Sequence, residues 1–125
     1  MAQRVFVSFD YDNDNDLKNL LIGQARNPDS PFEVEDWSIK VASSGWRADA
    51  RNRISRSDQV VVLCGQHTNT ASGVNVELDL ARELAVPYFL LTGRAGATKP
   101  TSALTSDSLY NWTWPNLKLL IAGNR

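Results

Sequence analysis

The 125 residues contain one cysteine, one histidine and one methionine, and Lys plus Arg (13) nearly balance Asp plus Glu (14). A lone cysteine excludes a disulfide framework and points to a reducing compartment; with a lone histidine it also excludes a Cys/His metal centre. A net charge of −1 supplies no long-range attraction for nucleic acid or anionic lipid. No apolar run approaches the roughly 20 residues of a membrane helix, and the first ten residues are too short and polar for a signal peptide. The chain therefore reads as soluble and cytoplasmic, with neither nucleic acid nor membrane as a partner. Its 42% hydrophobic and 22% charged content suits one domain with a single core.

What is present is an alternation of strand-like and helix-like segments. Residues 5–9 (VFVSF) are mostly β-branched or aromatic and predict a strand. Asn13 or Asp14 then caps a helix whose Leu17, Leu20, Leu21 and Ala25 share one stripe. A breaker at 27–31 (NPDSP) ends it, and 32–39 (FEVEDWSI) predicts a second strand. Trp46, Ala50 and Ile54 line one face of the next helix, with Arg47, Arg51 and Arg53 largely outside it. Residues 59–64 (QVVVLC) form the apolar run expected of a central strand covered on both faces. Residues 74–85 predict a third helix and 87–92 (PYFLLT) a fourth buried strand. Residues 93–107 are rich in Gly, Ala, Ser and Thr and predict a long, poorly anchored loop. Residues 112–114 predict a short fifth strand, before Pro115 opens a last helix carrying Leu117, Leu120 and Ile121 and stopped at Gly123.

This order predicts a single α/β domain over residues 1–125, a flavodoxin-like three-layer sandwich around a mostly parallel sheet. Strands 5–9, 59–64 and 87–92 should lie side by side and parallel. Ligands of such sheets bind beyond the carboxyl ends of the strands, which here are residues 9–14, 43–46, 65–75 and 92 onward.

Several motifs dissolve on inspection. The acidic run 10–16 (DYDNDND) lacks the Gly and Glu that a calcium loop needs at its sixth and twelfth positions, and reads as an acidic helix cap. A phosphoryl-accepting receiver site needs Asp at the end of the third strand, where Cys64-Gly65 stand instead. The segment GRAGATK (93–99) fails the spacing of a phosphate-binding loop, and Pro100 replaces its Ser or Thr. His67 is the only histidine available to nucleophilic catalysis and reads as an exposed loop residue. No metal site is expected.

Glu77 stands apart. On the third helix Val74, Leu78, Ala81, Leu84 and Ala85 face the sheet, and Glu77 falls on the same stripe, while Asp79 and Glu83 point outward. A carboxylate there is costly without partners. Two readings stay open: a first-turn Glu satisfying backbone N–H groups, or a carboxylate aimed into a cleft.

Phe6-Val7-Ser8-Phe9, Ser57-Asp58 leading into 59–65, Val74-Asn75-Val76-Glu77-Leu78, Ala85-Val86-Pro87 and Trp112-Thr113-Trp114-Pro115 occur in an order that resembles the TIR family. Within it, the chain is most similar to the short bacterial TIR-like proteins typified by the sensor subunit of Thoeris antiphage defence. The resemblance implies cleavage or cyclisation of NAD, as substrate rather than cofactor, with Glu77 as the catalytic glutamate. It implies a nucleotide site lined by Phe9, Asp10 and Tyr11, with Thr68, Ser72 and Asn75 flanking the nicotinamide ribose. It also implies self-association and a downstream effector that senses the product. The family often has Trp four residues before the glutamate, where this chain has Gly73. A non-catalytic TIR-like interaction module and a nucleoside 2-deoxyribosyltransferase-like enzyme are the rival functions.

Overall fold

The computed structural model of the chain describes residues 2–39 and 45–125. The elements run β1 (Gln3–Ser8), α1 (Asn15–Ala25), β2 (Phe32–Trp37), α2 (Trp46–Ser55), β3 (Gln59–Cys64), a 3₁₀ turn (Thr68–Thr70), α3 (Ser72–Glu83), β4 (Tyr88–Thr92), β5 (Leu109–Asn111) and α4 (Trp114–Ile121). Every strand pairing is parallel, in the order β2-β1-β3-β4-β5. The expected neighbours β1, β3 and β4 are adjacent, so the doubly wound α/β architecture holds. Of the segments expected at the strand ends, Ser43 and Ser44 lie outside the described residues.

The alternation of β3 shows how both faces are filled. Val61 and Leu63 pack with Leu17 and Leu21 of α1 and Leu117 and Leu120 of α4. Val60, Val62 and Cys64 pack on the other face with Ala50 and Ile54 of α2 and Val74 and Leu78 of α3. A parallel strand buried on both faces must read as an unbroken apolar run, as this one does.

Four expectations need correction. Leu20 is 60% exposed: the buried arc of α1 centres on Leu21, and consecutive helical residues are turned about 100° apart. The fifth strand is Leu109–Asn111 rather than 112–114. Thr113 is taken by the next helix, whose Asn116 N–H its hydroxyl accepts at 3.2 Å, and Trp112 donates its Nε1–H to Gln24 Oε1 at 2.8 Å. The loop 93–107 is well anchored. Gly93 N–H donates to the Cys64 carbonyl at 2.8 Å, Thr98 N–H to the Gly65 carbonyl at 2.9 Å, and Ala97 and Ala103 pack against the α2–α3 core.

The fourth correction is Ala85, which does not face the sheet. Helix α3 ends at Glu83, and Ala85 sits at φ 56°, where its N–H donates to the Arg82 carbonyl and Val86 N–H reaches back to the Ala81 carbonyl. This paired reversal satisfies carbonyls that the helix end would otherwise leave open, and it normally employs glycine because a Cβ is strained at positive φ. Ala85→Gly is therefore expected to raise unfolding stability by about 0.5 to 1 kcal/mol, strain relief outweighing the added freedom of the unfolded chain. A urea midpoint equal to or below that of the parent would contradict this.

Candidate active site

Glu77 lies in the middle of α3, on the arc that Val74, Leu78 and Ala81 bury against the sheet, and is 1% exposed. Its Oε1 accepts hydrogen bonds from Ser8 Oγ at 2.8 Å and Ser38 Oγ at 2.6 Å. Burial pushes the carboxyl up from an ordinary 4.5 to about 7, against the pull of the Ser38 and Ser8 hydroxyls and the charge of Arg53. The first-turn capping alternative fails on two grounds. Ser72 opens the helix, so Glu77 lies beyond its first turn, and its partners are hydroxyls rather than backbone N–H groups. Asp79 and Glu83 point outward as the periodicity requires, paired with Arg82 and Arg51.

The two serines were invisible as partners in the sequence for different reasons. Ser8 is a polar residue that ends the buried run Val5–Ser8 of β1, on the face that Phe6 buries, so alternation alone offered a signal. Ser38 follows β2, and its orientation depends on a bulge that no residue pattern announces. Val5 pairs with Val34 but Phe6 with Asp36, which leaves Glu35 unpaired. Ser38 N–H then continues the ladder to the Val7 carbonyl at 2.9 Å, beside Ser8.

Glu77 forms part of the wall of a cleft of about 540 Å³ at the carboxyl end of the sheet, a volume suited to a small-molecule ligand. Phe9, Asp10, Tyr11 and Ser72 line the same cleft. Tyr11 is 46% exposed and stacks on Phe9, their ring centroids 6.3 Å apart. Asp10 spends its carboxylate on the loop itself, accepting from Asp12 N–H at 3.2 Å and Asn13 Nδ2 at 2.7 Å. The acidic run thus organises its own turn. His67 is exposed, as its loop position suggested, and stands at the cleft wall.

Thr68 and Asn75 are placed elsewhere. Thr68 is fully buried, its Oγ1 accepting from Gly65 N–H at 2.8 Å, so it fixes the turn after β3. Asn75 bolts α3 to the following loop: its Nδ2 donates to the Ala71 carbonyl at 3.1 Å and its Oδ1 accepts from Ser102 N–H at 2.8 Å. Ala71 precedes α3 without a capping side chain, which leaves the first-turn amides of Ser72, Gly73 and Val74 beside the cleft with the positive end of the helix.

The cleft therefore combines a buried carboxylate that titrates near neutrality, an aromatic surface and a helix N-terminus. Such a carboxylate is suited to offsetting positive charge or taking a proton. Thiol chemistry has no footing, because Cys64 is fully buried and its thiol is pushed up to about 12. Among the described residues, no group of three His, Cys, Asp or Glu side chains is placed to hold a metal ion, and no helix is long and apolar enough to cross a membrane.

A family model for the TIR-like domain of the Thoeris protein ThsB matches residues 6–91, from β1 into β4 and through Glu77. No curated protein matches the chain. Among solved structures, the glutaminase domain of Trypanosoma brucei CTPS with bound acivicin is similar at a TM-score of 0.50 and 15% identity. That alignment covers 74% of this chain and 37% of the other, so the chain spans little more than a third of that protein, and the likeness is one of fold.

The burial of Glu77 has a thermodynamic consequence. Between pH 4.5 and about 7 the unfolded chain loses this proton while the folded chain keeps it. The folded state then binds more protons, so stability falls as pH rises through this window. Glu77→Gln removes the titration, and the variant should gain on the order of 3 kcal/mol relative to the parent between pH 4.5 and pH 8. Denaturant titrations of both proteins across that range test this; a difference independent of pH would contradict it.

Proposed function

We propose that this chain, which belongs to the family of the TIR-like domain of the Thoeris protein ThsB, binds NAD in the cleft and breaks its nicotinamide–ribose bond with Glu77 as the acting carboxylate. The observation that carries the reading is Glu77 itself: a carboxylate buried in α3, held by two hydroxyls and contributing to the wall of a ligand-sized cleft.

The chemistry asks little else of the protein. Nicotinamide departs as a neutral base, so no general acid is needed, and the difficulty is the positive charge that grows at the anomeric carbon. A preorganised carboxylate beside that carbon offsets it, as in other glycosyl transfers. The raised carboxyl suits this ligand, because a cationic nicotinamide ring favours the ionised form of Glu77 and is favoured by it in turn. The Phe9–Tyr11 stack offers a surface for a base, and the open amides at the start of α3 suit a pyrophosphate. Gly73 leaves the cleft without an aromatic side chain at that point. Capture by water yields ADP-ribose, whereas capture by a hydroxyl or the adenine of the same molecule yields a cyclic nucleotide. Either product fits a cytoplasmic antiphage signal made by self-associating copies and sensed by a downstream effector.

Purified protein incubated with NAD over a range of protein concentrations, with products separated by chromatography, tests the reading. The parent should release nicotinamide, and folded Glu77→Gln should do so at least about a hundredfold more slowly. With a carboxyl at about 7 in the free protein, kcat/KM should fall about tenfold per pH unit below that value. A Glu77→Gln variant as fast as the parent would contradict the mechanism. NAD left intact while a 2′-deoxynucleoside exchanges its base would identify a deoxyribosyltransferase, and inertness toward both an interaction module.

A further inference from the structure

A carboxylate oxygen offers two in-plane lone pairs, and both of those on Glu77 Oε1 are engaged, by Ser8 at 2.8 Å and by Ser38 at 2.6 Å. No capacity remains on that oxygen for a ligand. Fixing one oxygen at two points also fixes the rotation of the carboxylate plane, and with it the place of the other oxygen. All three side chains are buried, so these bonds form without competition from water.

The arrangement depends on the register of β2. In an unbroken parallel ladder from Val5↔Val34, Ser8 would stand beside Trp37, and Ser38 would point to the opposite face of the sheet. The unpaired Glu35 shifts the register by one residue. Because side chains alternate with a period of two, that single residue moves Ser38 onto the face of Ser8 and Trp37 onto the face of α1, where Lys18 Nζ lies 5.1 Å from its ring.

We propose that Ser8 and Ser38 are positioning residues for the reaction assigned to this cleft: together they saturate Oε1 so that Oε2 alone meets the substrate, and the one-residue bulge in β2 is the device that delivers the second hydroxyl. This rests on the NAD-cleaving reading for its substrate, but the clamp itself does not. Oε2 is then the single acceptor available to a ribose hydroxyl or to the charge at the anomeric carbon. The same two donors favour the ionised carboxylate, in concert with Arg53 of α2, itself 3.4 Å from Asp36 of β2, and against the desolvation of the site. Among the described residues, the other titratable groups of the cleft wall are Asp10, Tyr11, Asp12 and His67.

Ser8→Ala is the clean test, because Ser8 Oγ spends its hydrogen bond on Glu77, whereas Ser38 Oγ also accepts from Phe9 N–H at 3.1 Å. Two readouts are taken on the folded variant: the carbon-13 NMR titration of the Glu77 carboxyl and the kinetics of NAD cleavage. The titration midpoint should move to higher pH, and the acid limb of the rate profile should move with it. The kcat should fall about tenfold while KM changes by no more than about twofold. Ser8→Cys, nearly isosteric with a weaker donor, should lie between the two proteins and serves if the alanine variant does not fold. A purely structural role would lower stability without moving the midpoint or the acid limb. A folded variant with the parental midpoint and parental kcat would overturn the proposal. A midpoint that shifts in proteins that never consume NAD would uphold the clamp and end the NAD reading instead.

Discussion

A carboxylate cannot leave water without donors to replace it, and the burial of Glu77 is the constraint around which this fold is arranged. Helix periodicity commits Glu77 to the sheet-facing arc of α3, since moving it outward would also move Val74, Leu78 and Ala81. The sheet must therefore present hydroxyls where it would otherwise present hydrocarbon. It does so at the carboxyl ends of β1 and β2, which the strand order places side by side. The compensation is partial. Two hydroxyls offset burial without cancelling it, and the residual cost is the displaced titration near neutrality. Sites that bind or transform charge commonly retain such a cost, because a fully satisfied carboxylate has nothing left to offer a ligand.

A second buried carboxylate nearby shows the contrast. Asp14, at the start of α1, is buried and lies 3.3 Å from Arg94 Nε. A Cβ at position 65 would collide with both of its oxygens, so Gly65 is what admits the carboxylate there. Burial raises its carboxyl and Arg94 opposes the rise. Its partner is a cation from the loop after β4, so this pair ties α1 to that loop rather than facing a ligand. One carboxylate is held by neutral donors and borders the cleft; the other is matched by a charge and closes the structure.

Much of this was legible in the residues, and the failures have physical causes. The adjacency of β1, β3 and β4 followed from three apolar runs, each leading into a helix or a crossover loop, and the inward Glu77 followed from counting along α3. Phe9, Asp10, Tyr11 and Ser72, which the family resemblance had pointed to, share one cleft because the ends of parallel strands gather at one edge. Ser38 was hidden because a bulge changes the parity of everything after it, and nothing in FEVEDW marks Glu35 as the unpaired residue. The fifth strand was misplaced because Trp112-Thr113-Trp114 carries strand-forming side chains, yet Thr113 is worth more as a helix cap. The loop 93–107 looked unanchored because it is held by backbone hydrogen bonds to Cys64, Gly65 and the Asn75 side chain and by small alanines, none of which composition records as an anchor. Thr68 and Asn75 belong to the right neighbourhood but hold its turns in place.

In the proposed function the cleft pairs an uncomfortable carboxylate with a cationic ligand, and that pairing is open to measurement. It is tested most directly by titrating the carbon-13-labelled Glu77 carboxyl of the parent protein by NMR, alone and with a carbocyclic NAD analogue that cannot be cleaved. A midpoint near 7 is expected in the free protein, falling when the cationic nicotinamide ring of the analogue binds beside it. A midpoint at the ordinary 4.5, unmoved by the analogue, would contradict it.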